Sequence, residues 1–162
     1  MAEQQEISQQ KAVVTRFIEE FVNRHDLTGV AEVIAEDITE GGPIVVDAPS
    51  GGLEAFTEGW QMMLASFPDL RVTVESMLSE GDRVAAKLRL SATNTGFYRR
   101  GEATDKHAEW GGFVMATVRD GKIAELDALT DRFGILQQLG IIGSDDELAT
   151  VGRHDDSSQA QG

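Results

Sequence analysis

The sequence predicts an α+β domain, with helices packed on one face of a curved antiparallel sheet. Apolar residues recur at helical spacing as far as Phe67, and a period of two takes over after Pro68. Two turn dipeptides, Gly81-Asp82 and Asp120-Gly121, each divide a pair of alternating runs. Helices first and strands afterwards define an α+β arrangement rather than an alternating one.

Ser8 to Asn23 reads as an amphipathic helix, because Val13, Val14, Phe17, Ile18, Phe21 and Val22 recur every three or four residues and Ser8 suits an N-cap. "NRHD" breaks it, and Leu27 to Ile34 reads as a short second helix. "EGGPIVVDAPSGG" is a loop around a short apolar strand, Ile44 to Val46, with Asp47 in turn chemistry beyond it. Ser50 can cap a third helix from about Leu53 to Phe67, which sets Phe56, Trp60, Met63, Leu64 and Phe67 on one side.

"LRVTVESMLSE" and "RVAAKLRLSAT" then form a hairpin about Gly81-Asp82, where glycine at the first central position suits a type II′ turn. "HAEWGGFVMATVR" and "KIAELDALT" form another about Asp120-Gly121. A last helix runs from about Arg132 to Leu139 and stops at Gly140. The sheet needs cover on its apolar face, and the helices supply it, leaving an open-ended cone with an internal pocket. Residues 8–142 form one domain on this reading. Residues 143–162 form an acidic, disordered tail.

A chain of 162 residues with 41% hydrophobic composition, seven Phe and two Trp can bury a core. It has no cysteine, which excludes disulfides and thiolate metal sites. No apolar run approaches the roughly 20 residues of a membrane span, and the polar start lacks a signal peptide's apolar centre, so a cytoplasmic protein is expected. The net charge of −14 argues against nucleic acid and anionic membranes as partners.

The stretch "AELDALTDRFGILQQLG" raises the question of chemistry, since Asp127 and Asp131 share one strand parity with Leu129. A two-residue turn at Asp120-Gly121 would pair positions summing to about 241, which follows from hairpin geometry. Asp131 then lies opposite Trp110 and Asp127 opposite Val114, all on one face. If that face is concave, Asp131 stands in an apolar pocket, where desolvation raises a carboxylate's basicity and suits it to proton transfer. The alternative makes Asp131 the N-cap of the last helix.

"FPDLRVTVESMLSEGDRVAAKLRLSATNTG" and "RDGKIAELDALTDRFGILQQLG" resemble the SnoaL-like polyketide cyclases, of the superfamily with the nuclear transport factor 2-like fold. The likeness runs from about Lys11 to Ile142. It implies a cofactor-independent enzyme that closes a ring of a hydrophobic or aromatic carbonyl compound by intramolecular aldol condensation. It also implies that Asp131 is the acid/base, with neither metal nor organic cofactor, and that the protein is a homodimer paired through the outer face of the sheet. Two departures stand out. Relatives' "EHW" is here Glu125-Leu126-Asp127, which makes Asp127 a candidate second acid. Relatives' "GTHTG" is here "ATNTG", which puts Asn94 at a histidine position, able to donate to a carbonyl oxygen.

Trp110, Trp60, Phe56 and Met63 are the expected substrate-contacting walls, although core packing explains the helical stripe equally well. Gly111-Gly112 after Trp110 thins the wall beside it or marks a bulge. Asp105, His107 and Glu109 alternate at a strand start and read as a solvent face rather than a metal site. Two other functions remain open: a non-catalytic binding or dimerisation module, and an epoxide hydrolase, which the absence of an Arg-x-Asp spacing disfavours.

Overall fold

A computed structural model describes residues 2–41, 51–98, 101–145 and 147, with side chains from residue 9 onward. Helix α1 spans Ala2–Arg16 and passes into a π-helical stretch, Phe17–Val22. A short 3-10 turn, Val30–Glu32, precedes strand β1, Ile34–Gly41. Helix α2, Gly52–Ser66, leads into β2, Arg71–Glu80, β3, Arg83–Thr93, β4, His107–Arg119, and β5, Lys122–Thr130. Helix α3, Arg132–Gln138, follows.

The expected architecture holds: helices cover one face of a curved sheet, in an α+β arrangement. The four-strand meander gains a fifth strand, because β1 adds to β5 in parallel and gives the order β1-β5-β4-β3-β2. The predicted second helix at Leu27–Ile34 is therefore corrected. Only Val30–Glu32 coils, and Ile34 already pairs with Ile123. The first helix begins at Ala2 rather than Ser8, so Ser8 lies within it and is no N-cap. The expected strand Ile44–Val46, Asp47, the Ser50 cap and the end of the acidic tail lie outside the described residues.

The π-helical stretch has a clear use. Its wider turn, with the Asn23 N–H donating to Ile18 O, keeps the pairs Phe17-Ile18 and Phe21-Val22 on the core side. It also aims the Asn23 amide at the open edge of β2, where it accepts from the Val72 N–H at 2.8 Å and donates to the Val72 carbonyl at 2.9 Å. Sheet edges left bare invite pairing with other chains, and this amide occupies one.

Both hairpins turn where the dipeptides predicted. Glu80 pairs with Arg83 and Arg119 with Lys122. Asp120 and Gly121 both take positive φ, 51° and 74°, as a type I′ turn demands. The β3–β4 register is unbroken, so Gly111-Gly112 carries no bulge. The bulge is on β5 instead. Val118 pairs with Ile123 but Thr117 pairs with Glu125, leaving Ala124 as the extra residue. That insertion decides the functional geometry.

Candidate functional site

Beyond the bulge, paired positions sum to 242, as in Val114 with Ala128 and Gly112 with Thr130. A one-residue slip exchanges the two faces of a strand. Leu126, Ala128 and Thr130 consequently turn toward the helices, and Asp127, Leu129 and Asp131 turn outward.

Facing the helices is a cavity of about 340 Å³ with mainly apolar walls. Phe17 from the π-helical stretch and Phe56 and Trp60 from α2 form an aromatic cluster on one side. Phe17 lies 5.6 Å from each of the other two rings, edge-on to Trp60. Trp110 on β4 and Tyr98 line the same cavity and both pack on Phe67, at 5.8 and 4.9 Å. Of the residues expected as walls, Trp110, Trp60, Phe56 and Met63 all line this cavity. Both tryptophans of the chain therefore face it.

Asp131 does not face it, and the expected pocket position is corrected. The residue is exposed, and its Oδ1 accepts the Gly134 N–H at 2.8 Å as the N-cap of α3. A side chain at Gly134 would collide with that carboxylate, which explains the glycine in "DRFG". Asp127 is likewise corrected to the exposed outer face, opposite Met115 and against Gly41, where any side chain would overlap its carboxylate. The physical reason is the same for both acids. Ala124 bulges, and every later residue changes face.

Asn94 is corrected as well. It is wholly buried outside the cavity lining, and its amide ties a loop together. Nδ2 donates to Gly96 O at 2.8 Å, and Oδ1 accepts the Thr104 N–H and hydroxyl at 3.0 and 3.1 Å. Nothing is left over for a ligand. His107 lies exposed, its ring nitrogens 3.1 and 3.2 Å from the Ser91 and Thr93 hydroxyls. Among the described residues no group of three or more His, Asp or Glu side chains could hold a metal ion.

The cavity's polar groups were missed by the sequence reading. They are Glu40 on β1, Tyr98, Thr130 and Arg132. Glu40 pairs with Leu126 in the parallel ladder and so shares its inward face. It lines the cavity yet remains exposed, as do Gly59 and Ala128, so these three mark the mouth. Partial burial against the apolar walls raises the Glu40 pKa above its ordinary value. A signal was available in "AEDITEGG", where alternation from Ile38 puts Glu40 at an inward position.

The fold and this site define a class: a small α+β domain that holds an apolar cavity between helices and sheet. The chain belongs to the SnoaL-like polyketide cyclase family, whose model matches residues 12–139. Solved structures agree on the fold. A candidate SnoaL-like polyketide cyclase from Jannaschia sp. CCS1 superposes with a TM-score of 0.76 at 20% identity, covering 84% of this chain and 94% of that one. IdmH, a candidate polyketide cyclase from Streptomyces antibioticus, gives 0.71 at 27% identity, covering 81% and 98%. AclR from Streptomyces galilaeus, described as a candidate hydroxylase, gives 0.71 at 24% identity, covering 85% and 99%. Among curated proteins no relative matches. No helix among the described residues is long and apolar enough to cross a membrane.

Proposed function

We propose that the protein is a cofactor-independent cyclase that binds a compact hydrophobic carbonyl compound and closes a ring by acid–base catalysis. One observation carries this reading: a mainly apolar, aromatic-lined cavity that holds a single carboxyl side chain among the described residues lining it. Family membership supports the reaction class. Its volume of about 340 Å³ lies near the lower end for small-molecule sites, roughly 300–1,000 Å³. A ring-sized ligand suits it better than a long extended chain.

In an intramolecular aldol closure, a base breaks a C–H bond next to one carbonyl, and the resulting carbanion forms a C–C bond to a second carbonyl carbon. The new alkoxide then takes up a proton, so one carboxyl group can complete the cycle. The guanidinium of Arg132, permanently charged, suits the oxygen on which negative charge develops.

The two cavity tryptophans supply the test. Titration with a hydroxyanthraquinone should quench their fluorescence saturably, and Ala128→Phe at the mouth should weaken that binding about tenfold, about 1.4 kcal/mol. Quenching that never saturates, or that ignores Ala128→Phe, would remove the cavity from the account.

The same reading includes a homodimer. The outer face exposes Phe113 and Leu129, directly opposed across β4 and β5, with Met115 two residues along from Phe113. An apolar strip of this kind among charges suits a second copy of the chain. Light scattering at working concentration should give twice the chain mass, and a monomer mass would count against it.

A further inference from the structure

We propose that Glu40, at the cavity mouth on edge strand β1, is the group that removes and returns the proton in this site, and that Asp127 and Asp131 take no part. The proposal rests on the cyclase reading and assigns its proton carrier.

Topology makes the first argument. In a parallel pair, opposed residues share a face, and the register sets Glu40 against Leu126 but Gly41 against Asp127. Leu126 lines the cavity, while Asp127 lies on the outer face. Glu40 and Asp127 are thus neighbouring carboxylates on opposite sides of one sheet, with Glu40 inside.

Chemistry makes the second. Among the described lining residues, three carry titratable or charged side chains: Glu40, Tyr98 and Arg132. A guanidinium offers hydrogen-bond donors only and no acceptor. Glu40 is the one carboxyl among them, and the partial burial that raises its pKa makes it a stronger base.

Position makes the third. Exposure at the mouth lets Glu40 exchange its proton with solvent between turnovers, while Phe56, Trp60 and Trp110 behind it shed water from the ligand. A carboxylate facing apolar walls on one side and solvent on the other can be reset after each cycle. Asp131 has no comparable setting, since its Oδ1 accepts from the first turn of α3.

Nitrobenzisoxazole is a suitable probe, because its conversion needs only a base. The carboxylate takes the ring C–H proton, the electron pair forms the nitrile, and the N–O bond breaks to leave a coloured phenolate. No co-reactant is involved. The full-length protein should convert it saturably and faster than acetate at equal concentration, with the rate falling as pH drops and the carboxylate is protonated. Glu40→Gln should lose about 10²-fold, Glu40→Asp should recover part of the loss, and Asp131→Asn should stay within about twofold of the parent.

Hydroxyanthraquinone quenching of Trp60 and Trp110, measured in parallel, separates the two levels. Lost turnover with retained quenching in Glu40→Gln supports the assignment. Equal turnover in parent and Glu40→Gln, loss in Asp131→Asn, or a parent no faster than acetate overturns it, while intact quenching would leave the cavity reading standing. Absent quenching in the parent overturns the cavity reading itself.

Discussion

The two faces of β5 are built from alternate residues of one short strand, yet they serve different ends. Leu126, Ala128 and Thr130 line the cavity, whereas Asp127 and Leu129, with Asp131 just beyond the strand, look outward. The division is set by one bulged alanine, Ala124, and not by the chemistry of the residues it sorts. Two acids that read as a catalytic wall are a surface charge and a helix cap. The carboxyl that lines the cavity is Glu40, on a strand the sequence did not announce. Assigning a catalytic acid from strand parity therefore requires the register, and a turn fixes that only as far as the first bulge.

Substitutions can break or sharpen this contrast. The largest effect belongs to the inner side. Phe67 is fully buried against Tyr98 and Trp110, so Phe67→Ala should cost about 3–5 kcal/mol, read as a lower denaturation midpoint. A loss under about 1 kcal/mol would mean that the packing around the cavity is loose.

At the strand's end, Asp131→Ala should cost about 1 kcal/mol through loss of the cap, and Asp131→Asn only a few tenths, since asparagine caps as well. If Asn costs as much as Ala, the carboxylate has a role other than capping.

On the outer face, Phe113→Lys should change the monomer's stability by at most about 0.5 kcal/mol, because the ring is 59% exposed. The same change should shift the mass measured by light scattering from dimer to monomer. A dimer that survives it pairs through another surface.

The smallest effect concerns pH. The folded-state pKa of Glu40 is raised by desolvation, so the folded protein holds this proton more firmly than the unfolded chain. The group favours the folded state fully below its unfolded pKa, and that advantage is lost as pH rises through the folded value. Glu40→Gln should therefore melt slightly higher than the parent at neutral pH, and the difference should vanish in acid. Paired melts across this range check the sign, and a lower-melting Gln variant at neutral pH would contradict it.

Much of this was legible in the sequence. The change of period after Pro68, the two turn dipeptides and the stripe Phe56-Trp60-Met63 reflect local preferences, and all are present in the structure. What stayed hidden was non-local. The pairing of β1 with β5 depends on a crossover through α2 that no local motif announces. The Ala124 bulge leaves only two adjacent apolar residues, Ile123-Ala124, as its trace. Asn94 looked like an anchor because it stands at a histidine position of the relatives, but the loop it ties draws on its whole amide.

The central claim is that the carboxyl facing the ligand is Glu40 on β1, and neither Asp127 nor Asp131. The chain has no cysteine, so a thiol can be placed at one position at a time through Glu40→Cys, Asp127→Cys and Asp131→Cys. Its rate of reaction with a small thiol reagent is then measured with and without saturating hydroxyanthraquinone. The account predicts that the ligand slows labelling at position 40 and leaves positions 127 and 131 unchanged. Protection at 131 with none at 40 would contradict it.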